Sequence, residues 1–154
     1  MIPAEHQPTI MVAEDEAPMR GLLERVLKQQ NFRVLLASDG EQAIRLYRSN
    51  KQQIDVVLLD VDLPKIGGLD VFLDMKTQNP DVQVIVVSGY LTPNVKAKLS
   101  AAGVEHFLAK PYSLGQVVED VRTSLIENLE IRQNISSASH ESEIDGRITH
   151  RTHH

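Results

Sequence analysis

Residues 55–64 read Asp55-Val56-Val57-Leu58-Leu59-Asp60-Val61-Asp62-Leu63-Pro64. Val56 to Leu59 is apolar at every position, not at every second one. A strand with no polar face needs cover on both sides, which is the situation of a central strand in a parallel sheet. The run then ends abruptly on a carboxylate, Asp60, and a proline-containing loop. Four other short β-rich runs share its character: Thr9–Ala13, Arg33–Ala37, Val82–Val87 and Glu105–Leu108.

Segments of helical period separate these runs. Met19, Leu22, Leu23, Val26 and Leu27 follow the i, i+3, i+4, i+7, i+8 rule, and Pro18 sits where a first-turn proline leaves no donor unpaired. A second helix is predicted near Glu41–Ser49, with Ser38 or Asp39 as its cap. A third lies near Leu69–Gln78, stopped ahead of Pro80. A fourth lies near Asn94–Ala102 and ends at Gly103. The fifth starts near Ser113 and buries Leu114, Val117, Val118, Val121 and Leu125. Five strand–helix alternations with right-handed crossovers predict a doubly wound, five-stranded parallel sheet with helices on both faces.

The chain has 154 residues, enough for one domain with appendages. The pattern divides it into an N-terminal extension (1–8), a domain (9–126), an extension of the last helix (127–135) and a flexible tail (136–154). Leu129, Ile131 and Ile135 offer contacts for the helix extension. The tail is rich in Ser, His and charge. His150, His153 and His154 share one helical face, but a plain tail explains them better than a metal site. His106 reads as a surface histidine. Sixteen Lys plus Arg against 21 Asp plus Glu give a net charge of −5, which argues against direct nucleic-acid or anionic-membrane binding. No apolar run is long enough for a membrane span. With no cysteine there is neither a disulfide framework nor a thiolate nucleophile. The cytoplasm is the default setting.

In a doubly wound sheet, ligands bind beyond the carboxyl ends of the strands, where strand order reverses. The first run ends in Glu14-Asp15, the third in Asp60, the fourth in Ser88-Gly89 and the fifth in Lys110-Pro111. Taken singly, each has an ordinary explanation. Acidic residues favour a helix N-terminus, a serine closes a turn, and a lysine is solvated. Together they make a site. Three carboxylates at neighbouring strand ends repel one another unless a cation neutralises them, and a hard divalent ion such as Mg²⁺ takes oxygen ligands of this kind. The backbone carbonyl of Asp62 could add a ligand. Lys110 and Ser88 suit an incoming phosphoryl group. Asp60 is then a candidate nucleophile, because a carboxylate can form an acyl phosphate.

These segments resemble the receiver domain of two-component response regulators. The matching stretches are Met11-Val12-Ala13-Glu14-Asp15-Glu16, Ala37-Ser38-Asp39-Gly40-Glu41-Gln42-Ala43, the 55–64 run, Val84-Ile85-Val86-Val87-Ser88-Gly89-Tyr90 and Ala102-Gly103-Val104-Glu105-His106-Phe107-Leu108-Ala109-Lys110-Pro111. The resemblance spans roughly Thr9 to Ile126. It implies a flavodoxin-like (βα)5 fold and a signalling switch that catalyses its own phosphorylation and dephosphorylation. Asp60 is then the residue that accepts a phosphoryl group from a histidine kinase or phosphotransfer protein. Glu14, Asp15, Asp60 and the Asp62 carbonyl hold Mg²⁺. Lys110 pairs with Asp60, Ser88 turns to the phosphoryl group, and Phe107 follows Ser88 as the aromatic switch. The Lys110–Pro111 bond is implied to be cis.

Asp62 and Tyr90 flank the site and, by the same resemblance, tune how water reaches the acyl phosphate. A simple cover over the rim is the competing role for Tyr90. Gly67-Gly68 replaces a more usual polar residue plus Gly and removes one helix cap. The output stays open among three readings: an adaptor or phosphorelay intermediate, a dimerisation module using the last helices, and a receiver fragment of a larger regulator or hybrid kinase. A phosphorylation-independent binding module is a further alternative. A flavin-binding electron carrier on the same fold lacks phosphate-cradling loops and aromatics for a flavin face.

Overall fold

The computed structural model describes residues 6–152. Its elements alternate without exception: β1 (Thr9–Ala13), α1 (Ala17–Gln29), β2 (Arg33–Ala37), α2 (Gly40–Asn50), β3 (Ile54–Asp60), α3 (Gly68–Gln78), β4 (Val84–Ser88), α4 (Pro93–Ala101), β5 (His106–Ala109) and α5 (Leu114–Thr152). All strand pairings are parallel, in the order β2-β1-β3-β4-β5.

Strand alternation splits the core into two layers. Ile10 and Val12 of β1 and Val56 and Leu58 of β3 face Leu23 and Leu27 of α1 and Val117, Val121 and Leu125 of α5. Met11, Ala13, Val57 and Leu59 point the other way. They pack with Tyr47 of α2, Val71, Phe72 and Met75 of α3 and Leu99 of α4. Every residue of β3 is buried, as its unbroken apolar run requires.

Asp39 caps α2 by accepting the Gln42 N–H at 2.7 Å. Gly67, the N-cap of α3, makes no side-chain cap bond, and Gly103 closes α4 at φ +102°. Two strand starts lie two residues from the sequence pattern, for local reasons, while other boundaries shift by single residues. β4 starts at Val84 because Asn79 holds a turn, accepting Asp81 N–H on its side chain and Val82 N–H on its carbonyl. β3 starts earlier, at Ile54, because Asp55 joins the sheet end: its buried carboxylate accepts the Thr9 N–H at 2.9 Å.

Arg132 of α5 and His6 also reach Asp55, at 3.3 and 3.4 Å. His106 is half-buried, not a free surface residue, because Glu127 of α5 lies 2.7 Å from its Nε2. The helical backbone runs on through 136–152, the stretch that composition assigns to a tail. Residues 1–5 of the N-terminal extension, and His153 and His154, lie outside the described residues, as does the side chain of His150.

Candidate phosphoryl-acceptor site

The strand order reverses between β1 and β3. The chain leaves β1 for β2 on one side, then crosses to place β3 on the other. The crevice above those two strand ends is where the fold leaves main-chain groups and loops free to take a ligand. Glu14 follows β1, Asp60 ends β3, Ser88 ends β4 and Lys110 follows β5.

One carboxylate oxygen from each of Glu14, Asp15 and Asp60 lies within 4.8 Å of the others. Asp60 is 3% exposed and fully engaged. Its Oδ1 accepts the Asp62 N–H at 2.8 Å and its Oδ2 accepts from Lys110 Nζ at 2.7 Å. Glu14 is equally buried, yet among the described residues neither of its oxygens has a hydrogen-bond donor. Lys110 approaches it to 3.7 Å. Asp15 stands exposed at the rim.

Burial pushes the Glu14 carboxyl up to about 8, and the proton and charge it shares with Asp60 add to the rise. For Asp60, burial works against the charge, but a proton on Glu14, the Lys110 ammonium and the Asp62 N–H outweigh it and hold the group below its ordinary value. Burial likewise works against the Lys110 ammonium, and Asp60 and Glu14 reverse that and raise it. The resting site therefore favours Asp60 as carboxylate, Lys110 as ammonium and, without metal, Glu14 as acid.

The fit to a hard cation is good. Three clustered carboxylates, one of them (Glu14) with both oxygens buried and without a donor among the described residues, form a set that a divalent ion would satisfy. The Asp62 side chain is exposed and outside this cluster, so its contribution at the site is made through the main chain.

The loop carrying Asp62 is clamped by two glycines. A Cβ on Gly68 would lie 2.5 Å from Val61 Cα and 2.6 Å from the Asp60 carbonyl oxygen. A Cβ on Gly40 would sit 1.9 Å from the Ile66 carbonyl oxygen. Both close approaches demand glycine. Gly68 thus fixes the loop that follows Asp60, where the sequence pattern notes only the cap lost at Gly67.

Ser88 is buried and accepts the Tyr90 N–H at 3.0 Å. Among the described residues its own hydroxyl proton meets no acceptor. Tyr90 is 76% exposed beside it. Phe107 is half-buried against the α2–α3–α4 layer, with Lys96 Nζ 5.7 Å from its ring centroid. The Lys110–Pro111 bond is cis.

Two further residues reach this end of the sheet without a sequence signal. Tyr112 lines a surface pocket with Glu14, Glu16, Met19, Lys110 and Pro111. Burial, with the Glu14 charge second, pushes its phenol up to about 12 and keeps it neutral. Arg20 of α1 donates through one guanidinium nitrogen to the main-chain carbonyls of Glu14 and Asp15, at 2.9 and 3.1 Å. Neither residue ends a strand, so a search along strand ends passes both by.

A family model for the response regulator receiver domain matches residues 10–122. The chain belongs to the response regulator receiver family. As a receiver domain it is 32% identical over 123 residues to the probable transcriptional regulatory protein TcrX of Mycobacterium tuberculosis, covering 79% of this chain and 52% of TcrX. Transcriptional regulators and sensor kinases both occur among the curated relatives. The receiver chain spans about half the length of those relatives, or less.

Solved receivers share the fold. A receiver domain protein of Clostridium thermocellum superposes with a TM-score of 0.76 at 23% identity, over 80% of this chain and 98% of that one. The CheX–CheY–BeF3–Mg²⁺ complex of Borrelia burgdorferi gives a TM-score of 0.71 at 22% identity, over 75% and 87%. Receiver domains bind Mg²⁺ in an acidic pocket, and the trio Glu14, Asp15 and Asp60 is this receiver's acidic cluster. Among the described residues no helix is long and apolar enough to cross a membrane.

Proposed function

We propose that this receiver is a phosphoryl-accepting switch in which Asp60 takes the group from the phosphohistidine of a sensor kinase or phosphotransfer protein. The observation that carries the reading is the state of Asp60. It is a buried carboxylate with both oxygens held, one by Lys110 at 2.7 Å, beside a Glu14 with no donor.

In the transfer, an Asp60 oxygen forms a bond to phosphorus as the phosphorus–nitrogen bond to the donor imidazole breaks. The bonding pair leaves with the ring nitrogen. Lys110 then exchanges its bond to Asp60 Oδ2 for one to a phosphoryl oxygen. Ser88 turns inward and offers its hydroxyl proton to another phosphoryl oxygen. Both new bonds are charge-assisted and exist only after transfer, so they bias the equilibrium toward a second arrangement. Phe107 follows Ser88 and reshapes the face of α4, β5 and α5. That face carries Lys96, Lys98, Glu105, Glu119, Asp120 and Arg122, a mixed charge set suited to a protein partner.

Glu14, Asp15, Asp60 and the Asp62 carbonyl would hold Mg²⁺. Bound there, it would neutralise charge on the phosphoryl oxygens. The named Mg²⁺ and BeF3 of the Borrelia complex support this assignment for a relative of the same fold. The presence of sensor kinases among the relatives favours a second reading of the output, in which the receiver passes the group along a phosphorelay.

The test is intact mass after incubation with acetyl phosphate, with and without Mg²⁺, on the parent and on Asp60→Asn. The expected result is one phosphoryl adduct on the parent alone, dependent on Mg²⁺. A parent that stays unmodified with both acetyl phosphate and a phosphohistidine donor contradicts the proposal.

A further inference from the structure

The turn between β1 and α1 has a difficult task. It carries three consecutive acids, Glu14, Asp15 and Glu16, into the start of a helix. Glu16 is the N-cap of α1 but makes no side-chain cap bond. One tertiary main-chain bond anchors the entry, from Glu14 N–H to the Ala37 carbonyl at 3.0 Å. Charge repulsion among the acids would open such a turn.

Arg20 closes it. One guanidinium nitrogen donates to the Glu14 carbonyl at 2.9 Å and to the Asp15 carbonyl at 3.1 Å. Both carbonyls are thereby drawn back over the first turn of α1. Among the described residues Arg20 forms no ion pair with a carboxylate. Its hydrogen bonds hold backbone and leave the carboxylates of Glu14 and Asp15 to the cation.

We infer that Arg20 is a positioning residue for the divalent-cation site: it sets the spacing of the Glu14 and Asp15 carboxylates through their main-chain carbonyls. This rests on the Mg²⁺ reading above. Its sign separates it from simple electrostatics. A guanidinium beside a cation site repels the ion, so if charge were its whole effect, removing Arg20 would tighten Mg²⁺ binding. If Arg20 positions the ligands, removing it weakens binding. Lysine keeps the charge but presents a compact ammonium in place of the planar fork, so it does not restore the bridge.

The experiment is calorimetric Mg²⁺ titration of the full chain as parent, Arg20→Met, Arg20→Lys and, as a control on the same helix, Arg25→Met. A thermal midpoint is recorded for each in EDTA. The expected result is a Kd weakened about 5- to 20-fold in both Arg20 variants and unchanged in the control, with metal-free midpoints close together. Arg20→Lys carries the test if Arg20→Met fails to fold. A parent that binds Mg²⁺ alongside Arg20 variants of equal or tighter Kd overturns the inference alone. A parent that binds no Mg²⁺ overturns the cation reading and the inference with it.

Discussion

Glu14 has both carboxylate oxygens buried without a donor, and this makes the metal-free protein sensitive to pH. Its folded-state value, pushed up to about 8, lies above the ordinary 4.5, so the folded chain binds the extra proton between those limits. Stability from this group is therefore full below the ordinary value and falls as pH rises through the window, by on the order of a few kcal/mol. Asp60 is shifted the other way, and its contribution is lost only in acid. Lys110 is raised, and its contribution is lost only in strong alkali. Urea midpoints in EDTA should fall from pH 5.5 to pH 8.5 in the parent, and Glu14→Gln should flatten that slope and be the more stable at pH 8.5. Equal slopes in parent and variant would remove Glu14 as the cause. On the proposed function, Tyr90 bears on the phosphorylated state instead. Its ring stands exposed beside Ser88, where it can shield an acyl phosphate from water. Tyr90→Ala is expected to shorten the phosphoryl lifetime several-fold in a dephosphorylation time course; a lifetime equal to the parent's leaves Tyr90 as rim cover.

At the scale of elements, the loop from β3 to α3 is held by contact between backbones. Gly68 packs directly on Val61 and the Asp60 carbonyl, and its N–H donates to the Val61 carbonyl at 2.9 Å. Backbone atoms cannot rotate away as a flexible side chain does. Gly68→Ala should cost about 1–3 kcal/mol in urea unfolding and slow phosphoryl uptake, because the displaced atoms belong to the acceptor loop. Unchanged stability would mean that the loop gives way freely. The role of Gly68 was not legible beforehand, since the sequence pattern noted only the cap lost at Gly67, and the packing of Gly68 on the end of β3 shows only in three dimensions. Strands and helices were legible, because period and punctuation are local. The exceptions were set by single polar side chains, Asn79 delaying β4 and Asp55 advancing β3, and by α5, whose helical backbone continues through residues of tail-like composition.

Across the whole molecule, the two ends of the sheet do different work. The carboxyl ends carry Glu14, Asp15, Asp60, Ser88 and Lys110, and the strand-end pattern pointed to these five because a doubly wound topology brings successive strand ends to one rim; the structure clusters Glu14, Asp15, Asp60 and Lys110 there. The amino ends are fastened by Asp55, to which Thr9 and His6 converge from the N-terminal segment and Arg132 from α5. That clasp, like the approach of Tyr112 to Glu14, joins residues far apart in sequence, and the reach of Arg20 back over a turn follows no period, so all three become visible only in three dimensions. The placement of the rim residues puts the proposed phosphoryl group on Asp60. Borohydride trapping followed by peptide mass mapping tests it most directly, because reduction of an acyl phosphate turns the modified aspartate into homoserine. After Mg²⁺ and acetyl phosphate, homoserine is predicted at position 60 and nowhere else; homoserine at Asp15 or Asp62 with Asp60 intact would contradict the assignment.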